Sequence, residues 1–345
     1  MASVGTLSLF FPVFVPASAA ALAYAGHRAF YFHWRVWLWK FLTGPGRNSR
    51  VLLLVFLVLN WKSLPLAWTV RVFHAFLYHV LRRPKNLPPR ALFHFSISSS
   101  RTSLLETDYN MHKSNSTYFA DLDVSRSHLV THLLGPAMAT VGDNAKNRLV
   151  LDKDGKAVTG GFGIGLGAVF CSFRREIAPL EGYEMWSRIL SWDRKWLYIV
   201  THFVVKGKVR PTGWDGRRMG PTRNRVVLAD GEKSGDWSKH VFATAITKYV
   251  FKLGRFTVHP AIVIEANGLL PPRPDGWRGG ESETGTPVDL GDIADVDGET
   301  VWDWKHVEQE RRKGLQYAEH FSALDGTNSL FDGGEDGSIG SFPLG

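Results

Sequence analysis

For its first 105 residues this chain has no aspartate and no glutamate, yet the same stretch carries twelve lysines and arginines. From residue 106 onward 29 basic residues face 32 acidic ones, so the formal net charge of +9 belongs wholly to the N-terminal part. That placement excludes a basic footprint on the folded domain, and no nucleic-acid partner is expected. Basic residues flanking apolar segments suit the headgroup level of a membrane instead. Cysteine is nearly missing: Cys171 alone excludes an intrachain disulfide framework and a multi-cysteine metal site. A Gly-x-Ser-x-Gly elbow is absent, which excludes a standard α/β-hydrolase. Glycine recurs at every second residue from Gly161 to Gly167, without the Gly-x-Gly-x-x-Gly spacing and following helix of a dinucleotide site. Those glycines are expected in a strand closely packed on the helix that begins near Tyr118. His128 and His132 lie one helical turn apart, but no Glu-x-x-His and no third ligand stand beside them. They read as a structural pair, Cys171 reads as a buried strand residue, and no metal or redox cofactor is expected.

The N-terminal third is dominated by apolar and aromatic residues. Residues 1–26 hold no charged side chain and are long enough to span a bilayer at ~20 apolar residues. An uncleaved anchor is the favoured reading over a signal peptide, because no Lys or Arg precedes the apolar run. Residues 27–50 mix Trp34, Trp37 and Trp39 with Arg35 and Lys40, a composition for the membrane–water interface. Residues 51–81 read as a second span broken at Pro65 or as an interfacial helix. One span with an interfacial helix fits the basic loops best and leaves the following domain cytosolic.

Residues 84–270 read as a folded α+β domain. A strand over Leu92–Leu105 precedes a long helix to about Leu134, and then strands are expected at Phe162–Ile177, Tyr183–Trp192, Trp196–Lys206 and Val241–Phe251. One helix followed by consecutive antiparallel strands is an α+β pattern. A polar insertion occupies about 207–240, a flexible Pro/Gly/acidic linker 271–300, an amphipathic helix 302–324, and a disordered tail the remainder.

Between the first strand and the helix lies Glu106-Thr107-Asp108-Tyr109-Asn110-Met111-His112-Lys113-Ser114-Asn115-Ser116-Thr117-Tyr118. Glu106 and Asp108 are the first acidic residues of the chain. Ser114, Asn115 and Ser116 can each serve as an N-cap. A carboxylate just before a helix N-terminus is chemically useful, since the free N–H groups there can hold a carbonyl oxygen as it gains charge. The carboxylate can attack that carbonyl or activate a water beside it. Taken alone, Asp108 reads more often as a simple cap than as a catalytic group.

This stretch resembles the hotdog-fold thioesterases of the 4-hydroxybenzoyl-CoA thioesterase type, which carry Asp-x-Asp, a short loop and a helical Tyr ten residues after the second Asp. Asp108 and Tyr118 keep that spacing; Glu106 replaces the first Asp, and the loop lacks the bacterial Gly. The chain looks closer to a membrane-anchored subgroup similar to thioesterase superfamily member 6 and to fungal secondary-metabolite thioesterase-like proteins. The matching residues are Asp108, His112, Lys113, Ser114, Asn115 and Tyr118, with the later run from Phe173-Arg174-Arg175 through Trp192-Asp193-Arg194.

The resemblance implies a hotdog fold, an antiparallel sheet wrapped around a long central helix, acting as a homodimer on acyl-CoA or acyl-carrier thioesters. It implies Asp108 as base or nucleophile, and backbone N–H groups near Ser114–Ser116 as the oxyanion site. His112 would orient Asp108 or touch substrate. Lys113 and the Arg174/Arg175 pair read either as partners for a phosphate of CoA or phosphopantetheine or, at least equally, as solvated surface. A non-catalytic, membrane-tethered acyl-binding scaffold is the alternative, and a hotdog dehydratase a weaker third. Asn115-Ser116-Thr117 is formally a glycosylation sequon, expected to be buried at the helix start.

Overall fold

The computed structural model describes residues 34–82, 87–209, 237–273 and 302–330, with Tyr24, His27 and Pro211 as isolated positions. The expected anchor at 1–26, the linker at 271–300, the tail beyond 330 and most of the 207–240 insertion therefore lie outside the described residues, apart from those positions and short flanks.

Two N-terminal helices come first, α1 (Trp34–Thr43) and α2 (Arg47–Leu59). They meet at a 108° bend. Gly46 sits at that bend with a φ of 76°, a left-handed value that only glycine takes without strain. Neither helix buries a residue. No single helix among the described residues is long and apolar enough to cross a membrane, although this bent pair could by length and composition. The third helix, α3 (Ala67–Arg82), lies in the stretch read as a broken second span or an interfacial helix. It buries Ala67, Ala75 and His79 and packs along the central helix.

That central helix is α4 (Thr117–Gly142), 26 residues long. It runs past the expected end near Leu134, through Gly135 and Pro136. Proline removes one i→i−4 bond, a cost of ~3 kcal/mol in an isolated helix. Here Leu133, Leu134, Ala137 and Val141 are buried on both sides of the proline. Each fully buried Leu or Val contributes roughly 1.5–3 kcal/mol, enough together to carry the helix across the defect.

The sheet has strands β1 (Ser96–Arg101), β2 (Phe162–Phe173), β3 (Gly182–Trp192), β4 (Trp196–Val205), β5 (Val241–Leu253) and β6 (Phe256–Val258). Their order is β1-β3-β4-β5-β2, with β6 on β5, and every pairing is antiparallel. β1 begins at Ser96 rather than Leu92 because Pro88 and Pro89 open a 3-10 turn that turns Leu92 and Phe93 into the core. One sheet face packs on α4 through Leu129, Leu133, Ile189, Ile199 and Phe251. This is the expected antiparallel sheet around a long helix.

Two short helices, α5 (Asn144–Asn147) and α6 (Pro260–Glu265), close the ends of the core. The opposite sheet face is covered by α7 (Trp304–Ala323), the expected C-terminal amphipathic helix. A Cβ on Gly314 would lie 1.9 Å from the Leu190 carbonyl oxygen, so the close approach of α7 to the sheet at this point requires glycine. Arg311 donates to the Trp192 carbonyl at 2.9 Å and pairs with buried Glu308 at 2.7 Å.

The glycines of β2 do not pack as expected. A Cβ on Gly167 would come within 2.5 Å of Trp196, and one on Gly165 within 3.2 Å of Val250. A bulge between Leu166 and Ala168 re-aims the strand. The alternating glycines serve contacts within the sheet, not an approach to Tyr118.

Candidate functional site

The Asp108 loop is built from both ends. Ser103 and Glu106 form a capping box, with the Ser103 N–H donating to Glu106 Oε2 at 3.0 Å. Thr107 then bridges to Lys113. Asp108 N donates to the His112 carbonyl at 2.9 Å, closing a tight loop. Met111 turns it with a φ of 61°, strained for a residue with a side chain. The far side is tied down where Lys113 N donates to the Ile177 carbonyl at 2.9 Å.

Within this loop the Asp108 carboxylate is half-buried. Its Oδ1 accepts the N–H groups of Asn110 at 2.9 Å and His112 at 3.4 Å. Its Oδ2 has no partner among the described residues. His112 points elsewhere, its Nε2 3.0 Å from Glu176, so its side chain is held by another carboxylate. Tyr109 is 94% exposed.

The start of α4 differs from expectation in its details. Ser114 N is already bonded to the Glu106 carbonyl at 2.7 Å, and Thr117 N to the Ser114 carbonyl at 3.0 Å. The N–H groups of Asn115 and Ser116 have no acceptor among the described residues. Ser116 makes no side-chain cap and shares its hydroxyl with Ser114 at 3.1 Å. Asn115 is exposed, contrary to the expectation that the sequon is buried. Two adjacent free amides thus face solvent at the positive end of a long helix. Tyr118 is buried against Phe173 and Phe203 at centroid distances of 5.0 and 4.8 Å, and forms a wall. Burial pushes its phenol well above the ordinary range, so Tyr118 stays neutral.

Lys113 is turned inward. Its ammonium lies 2.9 Å from Asp121 and 3.4 Å from Glu106, ion pairs without aligned hydrogen bonds. It belongs to a buried ionic cluster that reading the sequence missed. Lys62 reaches Glu106 at 2.7 Å and Asp121 at 3.1 Å, and donates to Tyr183 at 2.9 Å. Arg71 reaches Asp121 Oδ1 at 2.8 Å, and the Tyr183 hydroxyl donates to Asp121 Oδ2. Burial alone would raise the Asp121 pKa, but Lys113, Lys62 and Arg71 together hold the carboxyl far below the usual range. Burial lowers Lys62, and Asp121 opposes that shift.

The signals for this cluster are faint. Asp121 follows Tyr118 by one helical turn, and Lys62 and Arg71 sit in a stretch whose apolar character suggests membrane. The 60–63 turn is stitched to the domain by Asn60, which accepts from Leu105 N at 2.8 Å, and by a Ser63–Ser103 hydroxyl pair.

Other expected residues fall into place around these. Arg174 N and Arg175 N both donate to the Phe242 carbonyl, and Arg175 lies over the Phe242 ring at 5.3 Å. Cys171 is partly buried, and burial pushes its thiol up to about 11. His128 and His132 each meet His79, at 3.1 and 3.3 Å. No group of three metal-ligating side chains is arranged around one point among the described residues.

With this geometry in hand, the comparisons with known proteins are direct. Residues 103–251 match the model of the thioesterase-like superfamily. The thioesterase poxG of Penicillium oxalicum is 36% identical over 79% of this chain and 82% of that protein. The probable thioesterase atnL of Emericella nidulans is 32% identical over 88% of this chain and 92% of that one. The thioesterase lcsJ of Purpureocillium lilacinum is 30% identical over 76% and 86%. The matched region holds the Asp108 loop, the helix α4 that follows it and the sheet that wraps that helix, and on these grounds the chain belongs to the thioesterase-like superfamily.

Proposed function

We propose that this protein hydrolyses acyl thioesters at the mouth formed by the Asp108 loop and the first turn of α4. The observation that carries the reading is the division of labour on Asp108. Its Oδ1 is fixed by two loop amides, while Oδ2 is left open to take a proton from water or to attack. The free N–H groups of Asn115 and Ser116 supply donors for the thioester oxygen as it becomes an oxyanion. His112 acts through Glu176 to hold the loop. Lys113 supports the site from inside, through Asp121 and Glu106. The step is the addition of water across the C–S bond: the oxygen bonds to the carbonyl carbon, the thiolate leaves, and Asp108 passes the water proton to it.

Three finer readings belong to the same proposal. The protein works as a homodimer through β2, which pairs only with β5 among the described residues and exposes Leu166 and Phe170. Such an unpaired, apolar edge is what a second copy covers. It sits on a membrane through the exposed apolar faces of α1 and α2, with the catalytic domain on the cytosolic side. Its substrate is an acyl group on CoA or on a carrier protein, in fungal secondary metabolism.

Free-thiol release from a panel of acyl-CoAs by full-length protein tests the reading, run beside Asp108→Asn. A loss of about 4 kcal/mol in transition-state stabilisation is roughly a thousandfold in rate. Full rate in Asp108→Asn would sink the mechanism. An acyl-CoA bound without turnover would favour the acyl-binding scaffold.

A further inference from the structure

A second cleft lies on the opposite side of the sheet from the β2 edge. It opens between β1, the end of α2 and the start of α3, with a volume of about 910 Å³. That is the size of a small-molecule site, at the upper end of the usual ~300–1,000 Å³. Its chemistry is one-sided. Lys62, Arg71, Arg101 and Lys206 line it, and no carboxylate does. Asp121 pairs with Lys62 and Arg71, Glu106 pairs with Lys62, and both are shared with Lys113, while Glu184, opposite Ser99, accepts from Gly207 N beside Lys206 at 3.3 Å. Three cations against two carboxylates leave the floor positive. Arg101 and Lys206 add two exposed charges at the rim with no acidic partner among the described residues. Along β1, Ser98 and Ser100 turn toward α4, where Ser98 donates to Ser125 and Ser100 accepts from Lys62, while Ser99 falls on the other face of the strand.

The facing wall is apolar: Val58, Leu59, Trp61 and Val70. Val58, Trp61 and Val70 are largely exposed although they line a recess. This wall runs back along α2 into Val51–Phe56, which is exposed throughout. A cavity with cations on one side and aliphatic and indole surface on the other fits neither a bare anion nor a neutral chain.

We propose that this cleft binds a single-chain amphiphile with an anionic head. The head sits at the β1 edge between Arg101 and Lys206, and the acyl tail lies along Val58, Leu59, Trp61 and Val70 toward the apolar face of α2. The site is separate from the Asp108 mouth and does not need its chemistry. It touches the catalytic region through Lys62 and Arg71, which share Asp121 with Lys113, and through Ser103, whose capping box with Glu106 precedes the Asp108 loop. Free fatty carboxylate and the phosphate of a lysolipid have the shared head chemistry.

The test is equilibrium binding of oleate, lysophosphatidate, CoA and inorganic phosphate to full-length protein at fixed neutral detergent. The wild type is compared with Arg101→Ala/Lys206→Ala, with Val70→Glu and with Asp108→Asn. Both rim residues are exposed and Val70 is open to the cleft, so folding is retained, and melting temperatures check this. The expected result is saturable binding of oleate or lysophosphatidate, weakened at least about tenfold by the rim double variant and by Val70→Glu. The better of the two ligands identifies the head group. Asp108→Asn binds as wild type does, which separates this site from the thioesterase reading. Binding of phosphate or CoA as tight as that of the chain-bearing ligands overturns the proposal. So does acyl binding that the cleft variants leave unchanged or that Asp108→Asn abolishes.

Discussion

Two carboxylates lie thirteen residues apart at the same end of α4, and they live under opposite conditions. Asp108 is half-buried, held by the amides of its own loop, with no cation paired to it among the described residues. Asp121 is fully buried and meets two lysines, an arginine and a tyrosine. The first is attached to the fold through backbone hydrogen bonds and retains an open oxygen. The second has every lone pair committed. A group that must exchange protons with substrate needs the first environment, and a group that organises charge in a core needs the second. On the mechanism proposed above, burial and charge density do not by themselves mark the reacting group: the carboxylate crowded by cations is the one that organises the core.

Removing Asp121 should have the largest effect. Asp121→Ala leaves Lys62, Lys113 and Arg71 buried around an empty position. Breaking a buried pair by deleting one partner costs about 3–5 kcal/mol, because the remaining charges lose compensation. Denaturant unfolding is expected to show that loss, with thiol release falling in step with the folded fraction. Unchanged stability would mean that water enters the cluster and that the contrast is false. Asp108→Asn should do the reverse. Its loop stays closed by the Asp108 N to His112 carbonyl bond, so stability should stay within about 0.5 kcal/mol of the parent. Turnover should fall. A large stability loss there would return Asp108 to the role of a cap.

Acid sharpens the comparison through a different set of groups. α3 and α4 meet at His74, His79, His128 and His132, with Arg71 nearby. Burial, and then His74, Arg71 and His132, lower the His128 pKa to about 4 from 6.5. A histidine with a lowered folded pKa resists the proton that the unfolded chain accepts. Stability is therefore whole above pH 6.5 and declines as pH falls toward 4. Asp121, depressed, holds its contribution until pH drops below the ordinary carboxylate value of ~3.9. Between pH 6.5 and 4 the loss belongs to His128 and to His202, whose pKa burial also lowers to about 4, not to the ionic cluster. Melting temperature against pH should show this decline, flattened in His128→Gln. An unaltered slope in that variant would assign the titration elsewhere.

Much of this was legible in the residues. β-branched and aromatic enrichment between short turns predicts four strands within a few residues of their ends, and the Asp108-to-Tyr118 spacing points to the loop and helix. What was hidden is hidden for a physical reason. Lys62 and Arg71 lie in a run whose average character is apolar, and a periodicity argument weighs that average rather than one ammonium. Their partners come 44 to 59 positions later, at Glu106 and Asp121, and nothing local announces a contact over that distance. The end of α4 was misplaced because Gly135-Pro136 is a genuine local stop signal that tertiary burial overrides. The glycines of β2 misled because alternation reveals a shared face but not which neighbour lies against it. A bulge at Gly167 changed that neighbour to Trp196.

The smallest predicted effect is also the cleanest probe of the exposed side. Tyr109 stands beside Asp108 in sequence yet is 94% exposed. It has no hydrogen-bond partner among the described residues, so Tyr109→Ser should change stability by less than about 0.5 kcal/mol. A side chain this open costs little to keep in water, and its value can only come from something that covers it. If the acyl-thioester partner reaches over the loop, KM should rise severalfold in Tyr109→Ser while kcat holds, because a contact made equally in ground and transition states affects binding alone. If both constants stay at the parent values, the substrate approaches from the α4 side, across Asn115 and Ser116. Asn115→Ala would then be the next variant to make, since it keeps the backbone amide and removes only the exposed side chain in front of it.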